Sequence, residues 1–181
     1  MFTKGLTQAV LEGRKNITRR LAVKVLVEDE DGNLKWNGEF KKPRYKVGEV
    51  VAVAQSYEEA GVSFIHCPDP QWGCTRDMPG YNNKMFVRAD LMPHQIQITG
   101  CHVERLQDIS DEDCLREGVR KLESEGNPTM FTFDGWKFKN KVNRCADSPK
   151  EAFAALIDNV SGKGTWEGNP WVDVYEFEKV R

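Results

Sequence analysis

Apolar residues recur at helical spacing near the start of the chain, at Phe2, Leu6, Ala9 and Val10, so residues 2–12 read as an amphipathic helix that Gly13 stops. From Ile17 the period shortens to two. Leu21, Val23, Val25 and Val27 fall on one face and Thr18, Arg20, Ala22 and Lys24 on the other, which is a strand pattern. The runs 23–29 and 33–36 bracket Asp31-Gly32, a short-turn pair, and predict a hairpin. Gly48 followed by Val50, Val51, Ala52 and Val53 predicts a turn and then a buried strand.

Residues 95–106 read as a strand running into a helix. Ser110, with Asp113 in the position a capping partner takes, marks a helix start, and Ile109 is placed to staple onto Cys114. Cys114, Leu115, Val119 and Leu122 make the buried stripe of that helix, with Glu117 on its flank. A further start at Ser148-Pro149-Lys150-Glu151 is followed by Phe153, Leu156, Ile157 and Val160 at core spacing, until Gly162 and Gly164 end the helix. In residues 171–180, Trp171, Tyr175 and Phe177 alternate with Val172, Val174 and Val180, as expected of a central strand covered on both faces. Residues 56–93 are irregular, punctuated by Pro68, Pro70, Gly73, Pro79, Gly80 and Asn82-Asn83. A loop of that length in a compact domain commonly serves as a lid or a binding surface, or else is simply mobile.

A chain of 181 residues fits one domain with a real core, so residues 1–181 are taken as a single unit. Its net charge of -2 with 30% charged residues means that any basic surface must be local. Two such clusters stand out. Lys41, Lys42, Arg44 and Lys46 are flanked by Trp36, Phe40 and Tyr45, and Lys137, Lys139, Lys141 and Arg144 lie beside Trp136 and Phe138. Cations interleaved with aromatics suit phosphate contact and base stacking, although solvated faces with inward aromatics give the same pattern. The five cysteines form an odd set without framework spacing, and neither a signal peptide nor a long apolar run is seen. The expected setting is a reducing cytoplasm, with no membrane partner. His66, Cys67 and Cys74 invite a zinc reading, but no CxxC pair supports it, so neither a metal nor a cofactor is expected.

The strongest chemical feature is Gly13-Arg14-Lys15-Asn16-Ile17-Thr18-Arg19-Arg20, which crowds cations and one hydroxyl between a helix end and a strand start. Thr18 and Arg20 share a strand face, and Lys15, in the turn, is long enough to reach over it. An ammonium, a hydroxyl and a guanidinium converging on one pocket suit an anion or a nucleotide. A solvated basic turn is the plain alternative.

This segment resembles the signature of the ASCH domain family, relatives of the PUA fold, whose pattern is Gly-x-Lys-x-x-Thr-x-Arg. Gly13, Lys15, Thr18 and Arg20 fill every fixed position. YKVGEVVAV at 45–53, VERLQDISDEDCLREG at 103–118 and WEGNPWVDVYEFE at 166–178 agree in order, and the longer form is similar to members from phages and prophages. Asn16 stands where many relatives carry Thr, and residues near 27–43 and 56–93 are longer than in compact members. The resemblance implies an α+β fold, a PUA-like, small, mostly antiparallel β-barrel with about three flanking helices.

In relatives that hydrolyse N4-acetylated cytidine, the family roles are Thr as nucleophile, Lys as proton acceptor and Glu as proton donor, which fall here on Thr18, Lys15 and Glu117. The lysine needs a depressed pKa for this, and a Glu117 kept neutral by an apolar flank would both spare it and supply a proton. Arg20 is then expected to hold an oxyanion, a phosphate or a carbonyl. Arg19, Tyr45, Trp166, Asn169 and Trp171 complete the candidate ligand set. The two tryptophans and Asn169 are expected to line a pocket floor, with core packing as the competing role of both tryptophans. Three functions remain open on the same residues: a metal-independent amidohydrolase for an acylated nucleoside or base, a non-catalytic module binding a nucleoside or single-stranded RNA, and a ribonuclease.

Overall fold

A computed structural model describes residues 2–31, 33–62, 79–123, 125–134 and 145–181. Helix α1, Lys4–Leu11, starts where the Thr3 hydroxyl accepts from the Leu6 N–H at 3.4 Å. It buries Leu6, Ala9 and Val10, and Gly13 turns the chain away at φ 75°. Strand β1, Ile17–Leu21, follows directly.

β1 is shorter than its alternation suggests. It pairs antiparallel with β8, Trp171–Lys179, in a register that ends at Leu21 opposite Val172, and Ala22 N–H then donates to Trp171 O at 2.9 Å. Beyond that point β8 offers no further partner. The chain therefore leaves the main sheet, and β2, Lys24–Glu28, pairs instead with β3, Leu34–Phe40, as a separate hairpin. Leu26 and Val27 are consequently exposed. The hairpin itself is as expected, while Gly32 of its turn lies outside the described residues.

The principal sheet has the order β1-β8-β5-β4 with every pairing antiparallel, where β4 is Val50–Ala52 and β5 is Gln95–Arg105. It curls into a half-barrel. Val50, expected to be buried, is 51% exposed, because β4 is an edge strand and only its successor Val53 turns fully inward. β8, at the centre, is covered on both faces as its pattern predicts. Val172 and Val174 pack with Ile17 against the helical layer, and Tyr175 and Phe177 pack with Val10, Val53, Ile96 and Ile98 in a second core on the opposite face.

The helical layer begins after a 3-10 turn at Leu106–Asp108. Ser110 Oγ accepts from Asp113 N–H at 3.1 Å and opens α2, Asp111–Arg116; Ile109 and Cys114 are buried in the same cluster. The expected helical stripe is cut short. Gly118, at φ 108°, ends the helix, and Val119–Leu122 becomes strand β6, paired with β7, Met130–Phe133, a strand that the pattern did not announce. Ser148 Oγ accepts from Glu151 N–H at 3.2 Å and opens α3, Pro149–Ser161, which seats Phe153, Leu156 and Ile157 in the core. Burying one such side chain contributes about 1.5–3 kcal/mol. A fourth short helix, α4, Thr165–Gly168, leads into β8. The architecture is α+β, barrel-like and largely antiparallel, and no helix among the described residues is long and apolar enough to cross a membrane.

Candidate functional site

Two loop ends meet at the site. After Gly13 the chain doubles back, Lys15 N–H donates to Ala9 O at 3.0 Å, and the lysine side chain is driven inward until it is 1% exposed. On the other side Glu117 caps α2, its N–H donating to Asp113 O at 2.8 Å, and it too is buried. Asn16 clamps the two loops, since its N–H donates to Arg116 O at 3.1 Å and its side-chain oxygen accepts from Arg116 Nε at 3.0 Å. Asn16 thus ties the lysine turn to the glutamate turn.

The Lys15 ammonium has three protons and three acceptors: Ile17 O at 2.8 Å, Glu117 O at 2.9 Å and the Glu117 carboxylate oxygen Oε2. Burial pushes the Lys15 pKa below its ordinary value; Glu117 opposes this, and the nearby Arg20 and Arg19 charges add to the lowering. The other Glu117 oxygen accepts from Arg19 Nη1 at 3.3 Å. Glu117 therefore sits between two cationic donors, in place of the apolar flank expected for it.

Arg19 is equally committed. Its Nε donates to Glu104 at 2.7 Å and its Nη2 to Asp113 at 3.1 Å, so the guanidinium links β5, α2 and the Glu117 cap. Burial tends to lower its pKa, but Glu117, Glu104 and Asp113 together hold it above its ordinary value. A side chain bound to three carboxylates positions the site and has little left to offer a ligand.

Lys15, Glu117, Thr18 and Arg20 share the wall of a cavity of about 330 Å³, closed on its apolar side by Phe2 and the α3 side chains Phe153 and Val160. That volume suits a nucleobase with its substituent. Val160, expected in the core, is 40% exposed because it borders this opening. The Phe2 ring lies 5.6 Å from both Lys15 Nζ and Arg20 Cζ. Arg20 makes no ion pair among the described residues, unlike Arg14, Arg19 and Arg116.

Arg20 also borders two further cavities. One, of about 230 Å³, is lined by Thr18, Arg44, Tyr45, Tyr175 and side chains of the second core, among them Val53, Ile98 and Phe177. The other, of about 310 Å³, is lined by Lys41, Lys42, Arg44, Tyr45 and Asp173. Tyr45 packs edge-on against Tyr175 at 5.5 Å, and Tyr175 Oη accepts from Arg44 N–H at 2.9 Å.

Of the expected site residues, Lys15, Thr18, Arg20 and Glu117 therefore converge, and Tyr45 stands at the adjoining lobes. Trp166, Asn169 and Trp171 go elsewhere and line none of these cavities. Trp166 packs edge-on against Phe153 at 6.1 Å, and Trp171 stacks under Arg105 at 4.5 Å. Asn169, at φ 40°, accepts from Gln107 N–H at 2.9 Å and fixes the turn into β8. Phe2, Glu104, Asp113 and Asp173 belong to the site or its support but were not singled out as site residues. For Asp173 the available signal was an acid set between Val172 and Val174 in a strand covered on both faces.

The zinc candidates His66, Cys67 and Cys74 and the second basic cluster, Lys137, Lys139, Lys141 and Arg144 with Trp136 and Phe138, lie outside the described residues. No group of metal-ligating side chains occurs among the described residues. No protein-family model matches the chain, and neither a curated protein nor a solved structure matches it.

Proposed function

We propose that this protein is an ASCH-type, PUA-like amidohydrolase that binds a nucleoside in the Lys15–Thr18–Arg20–Glu117 cavity and hydrolyses an N-acylated, cytidine-type amide. The observation that carries this reading is the fully buried Lys15 ammonium in contact with the Glu117 carboxylate on the wall of a cavity that also holds Thr18. An ammonium cannot serve as a base. Transfer of one proton from Lys15 to Glu117 yields the neutral amine and neutral acid that the chemistry needs, and burial of Lys15 favours its loss of that proton.

With substrate bound, Thr18 Oγ attacks the acyl carbon as its proton passes to Lys15. Arg20 stabilises the oxygen on which negative charge develops. Collapse breaks the C–N bond, and the departing exocyclic nitrogen takes the proton held by Glu117. Water then attacks the Thr18 ester, releasing the carboxylic acid and restoring the starting proton positions.

The test is incubation with a panel of N4-acylated cytidines and cytosines, followed by chromatography of the freed amine. Turnover by the wild type and its loss in Thr18→Ala, by a factor of at least about 10², is the expected result. Full activity of Thr18→Ala rejects the nucleophile assignment, and an inert wild type rejects the reading as a whole.

A second reading, a non-catalytic RNA-binding module, is favoured by the basic lobe that shares Arg20 with the first cavity. RNA binding with a steep salt dependence and no turnover of any acylated base decides for it.

A further inference from the structure

Asp173 carries an unfilled acceptor. It is 7% exposed, and its Oδ1 atom has no hydrogen-bond partner, although it lines the 310 Å³ cavity. Arg20 is its cross-strand partner in the β1–β8 register, where an ion pair is the obvious outcome, yet the Arg20 guanidinium lies against the Phe2 ring. Burial pushes the Asp173 carboxyl up, with a side-chain hydrogen bond from Tyr175 acting in the opposite direction; Oδ1 is the acceptor left open. An acid in this position is best satisfied by a neutral O–H donor delivered by a ligand.

The rim of the same cavity has the opposite character. Lys41, Lys42 and Arg44 are exposed, none has an ion-pair partner among the described residues, and the Arg44 guanidinium lies 5.5 Å from the Tyr45 ring. A ligand that fits must therefore bring hydroxyl donors to the buried end and an anion to the outer end. A phosphorylated sugar has that polarity. The adjoining cavity, reached past Arg20, takes the base.

We propose that the Asp173 lobe binds the ribose-phosphate portion of a nucleotide, with a sugar hydroxyl donating to Asp173 Oδ1 and the phosphate held by Arg44, Lys41 and Lys42, so that the substrate is an acylated ribonucleotide or an RNA terminus in preference to a free nucleoside. This rests on the nucleoside reading of the neighbouring cavity and extends it. The division of labour is that cations supply affinity and Asp173 supplies discrimination in favour of sugars that retain their hydroxyls.

Calorimetric titration with cytidine 5′-monophosphate, cytidine and 2′,3′-dideoxycytidine 5′-monophosphate tests this without requiring turnover. The monophosphate is expected to bind about tenfold more tightly than cytidine, an advantage removed in Arg44→Ala, and about tenfold more tightly than the dideoxy compound, a difference removed in Asp173→Ala, which deletes the acceptor. Arg44 and its lysine neighbours are exposed, so Lys42→Ala, expected to weaken the monophosphate alone, serves as a second variant that does not disturb the core. Equal binding of monophosphate and cytidine overturns the proposal, as does a hydroxyl preference that Asp173→Ala leaves intact in a variant that melts normally. Turnover of acylated cytidine combined with either of those results removes the lobe assignment and leaves the amidohydrolase standing. Nucleotide binding with the expected variant effects but without turnover supports the lobe and removes the amidohydrolase.

Discussion

Glu117 accepts twice from the same Lys15 ammonium, through its backbone carbonyl at 2.9 Å and through its carboxylate, while its remaining oxygen takes Arg19 at 3.3 Å. The partnership is unequal. Without Lys15 the glutamate still has a guanidinium, but without the carboxylate the lysine keeps only two carbonyl oxygens.

Glu117→Gln is accordingly expected to destabilise the protein by about 3–5 kcal/mol, because it strands a buried cation, and Lys15→Met by at most about half as much. Urea denaturation of both variants measures the difference. Equal losses would contradict the asymmetry.

Helix α1 passes so close to the end of β7 that a Cβ on Gly5 would lie 2.4 Å from Asp134 O and 2.7 Å from Asp134 C, both backbone atoms. Gly5→Ala is therefore expected to lower stability by about 1–3 kcal/mol, although alanine is the better helix former by about 1 kcal/mol. A raised melting temperature would show that the helix can move aside.

Asp134 receives Arg14 at 2.8 Å and Arg120 at 2.9 Å. Burial alone raises its carboxyl pKa, but hydrogen bonds from Arg120 and Arg14 outweigh that and hold it below its ordinary value. The folded state then favours the ionised form. Its contribution is complete above the unfolded pKa of about 3.9 and is lost as pH falls through the lower folded value. Asp134→Asn should be less stable than the wild type by about 1 kcal/mol near neutrality, with the gap closing below about pH 4. Melting curves across that range check it, and a gap that widens in acid would reverse the sign.

The Cys114 thiol is pushed up to about 12, first by burial and then by Asp111, with Arg19 opposing. At about pH 8 it has almost no thiolate and no access. Alkylation of the folded protein followed by peptide mass spectrometry is expected to leave Cys114 unmodified until denaturant is added.

Local signals were legible where local hydrogen bonds decide the outcome. Ser110 and Ser148 cap the helices they announce, Gly13 ends α1, and the two-sided apolar pattern of β8 gives its central place. What failed depends on distant partners. Val50 is exposed because β4 lies at an edge, and strand order is not written in its own residues. Val119 and Leu122 keep helical spacing from Cys114 and Leu115, so only the backbone of Gly118 separates helix from strand.

The site divides in the same way. Lys15, Thr18 and Arg20 are neighbours in one motif, and Glu117 could be placed only through the family resemblance of the 103–118 stretch, by its spacing after Leu106. For Trp166 and Trp171 core packing was the stronger of the two readings, and packing claimed them. Strand alternation sets Arg19 on the face opposite Thr18 and Arg20, but its partners Glu104 and Asp113 lie far along the chain and are not written in the motif.

β8 joins β1 to β5 yet is translated after both. A nascent chain leaving the ribosome therefore carries two strand edges with no bridge between them. Lys15 likewise emerges 102 residues ahead of its carboxylate. Assembly of the Lys15–Glu117 pair and closure of the sheet become late events of synthesis, and the waiting edges are the surfaces that a chaperone would have to shield.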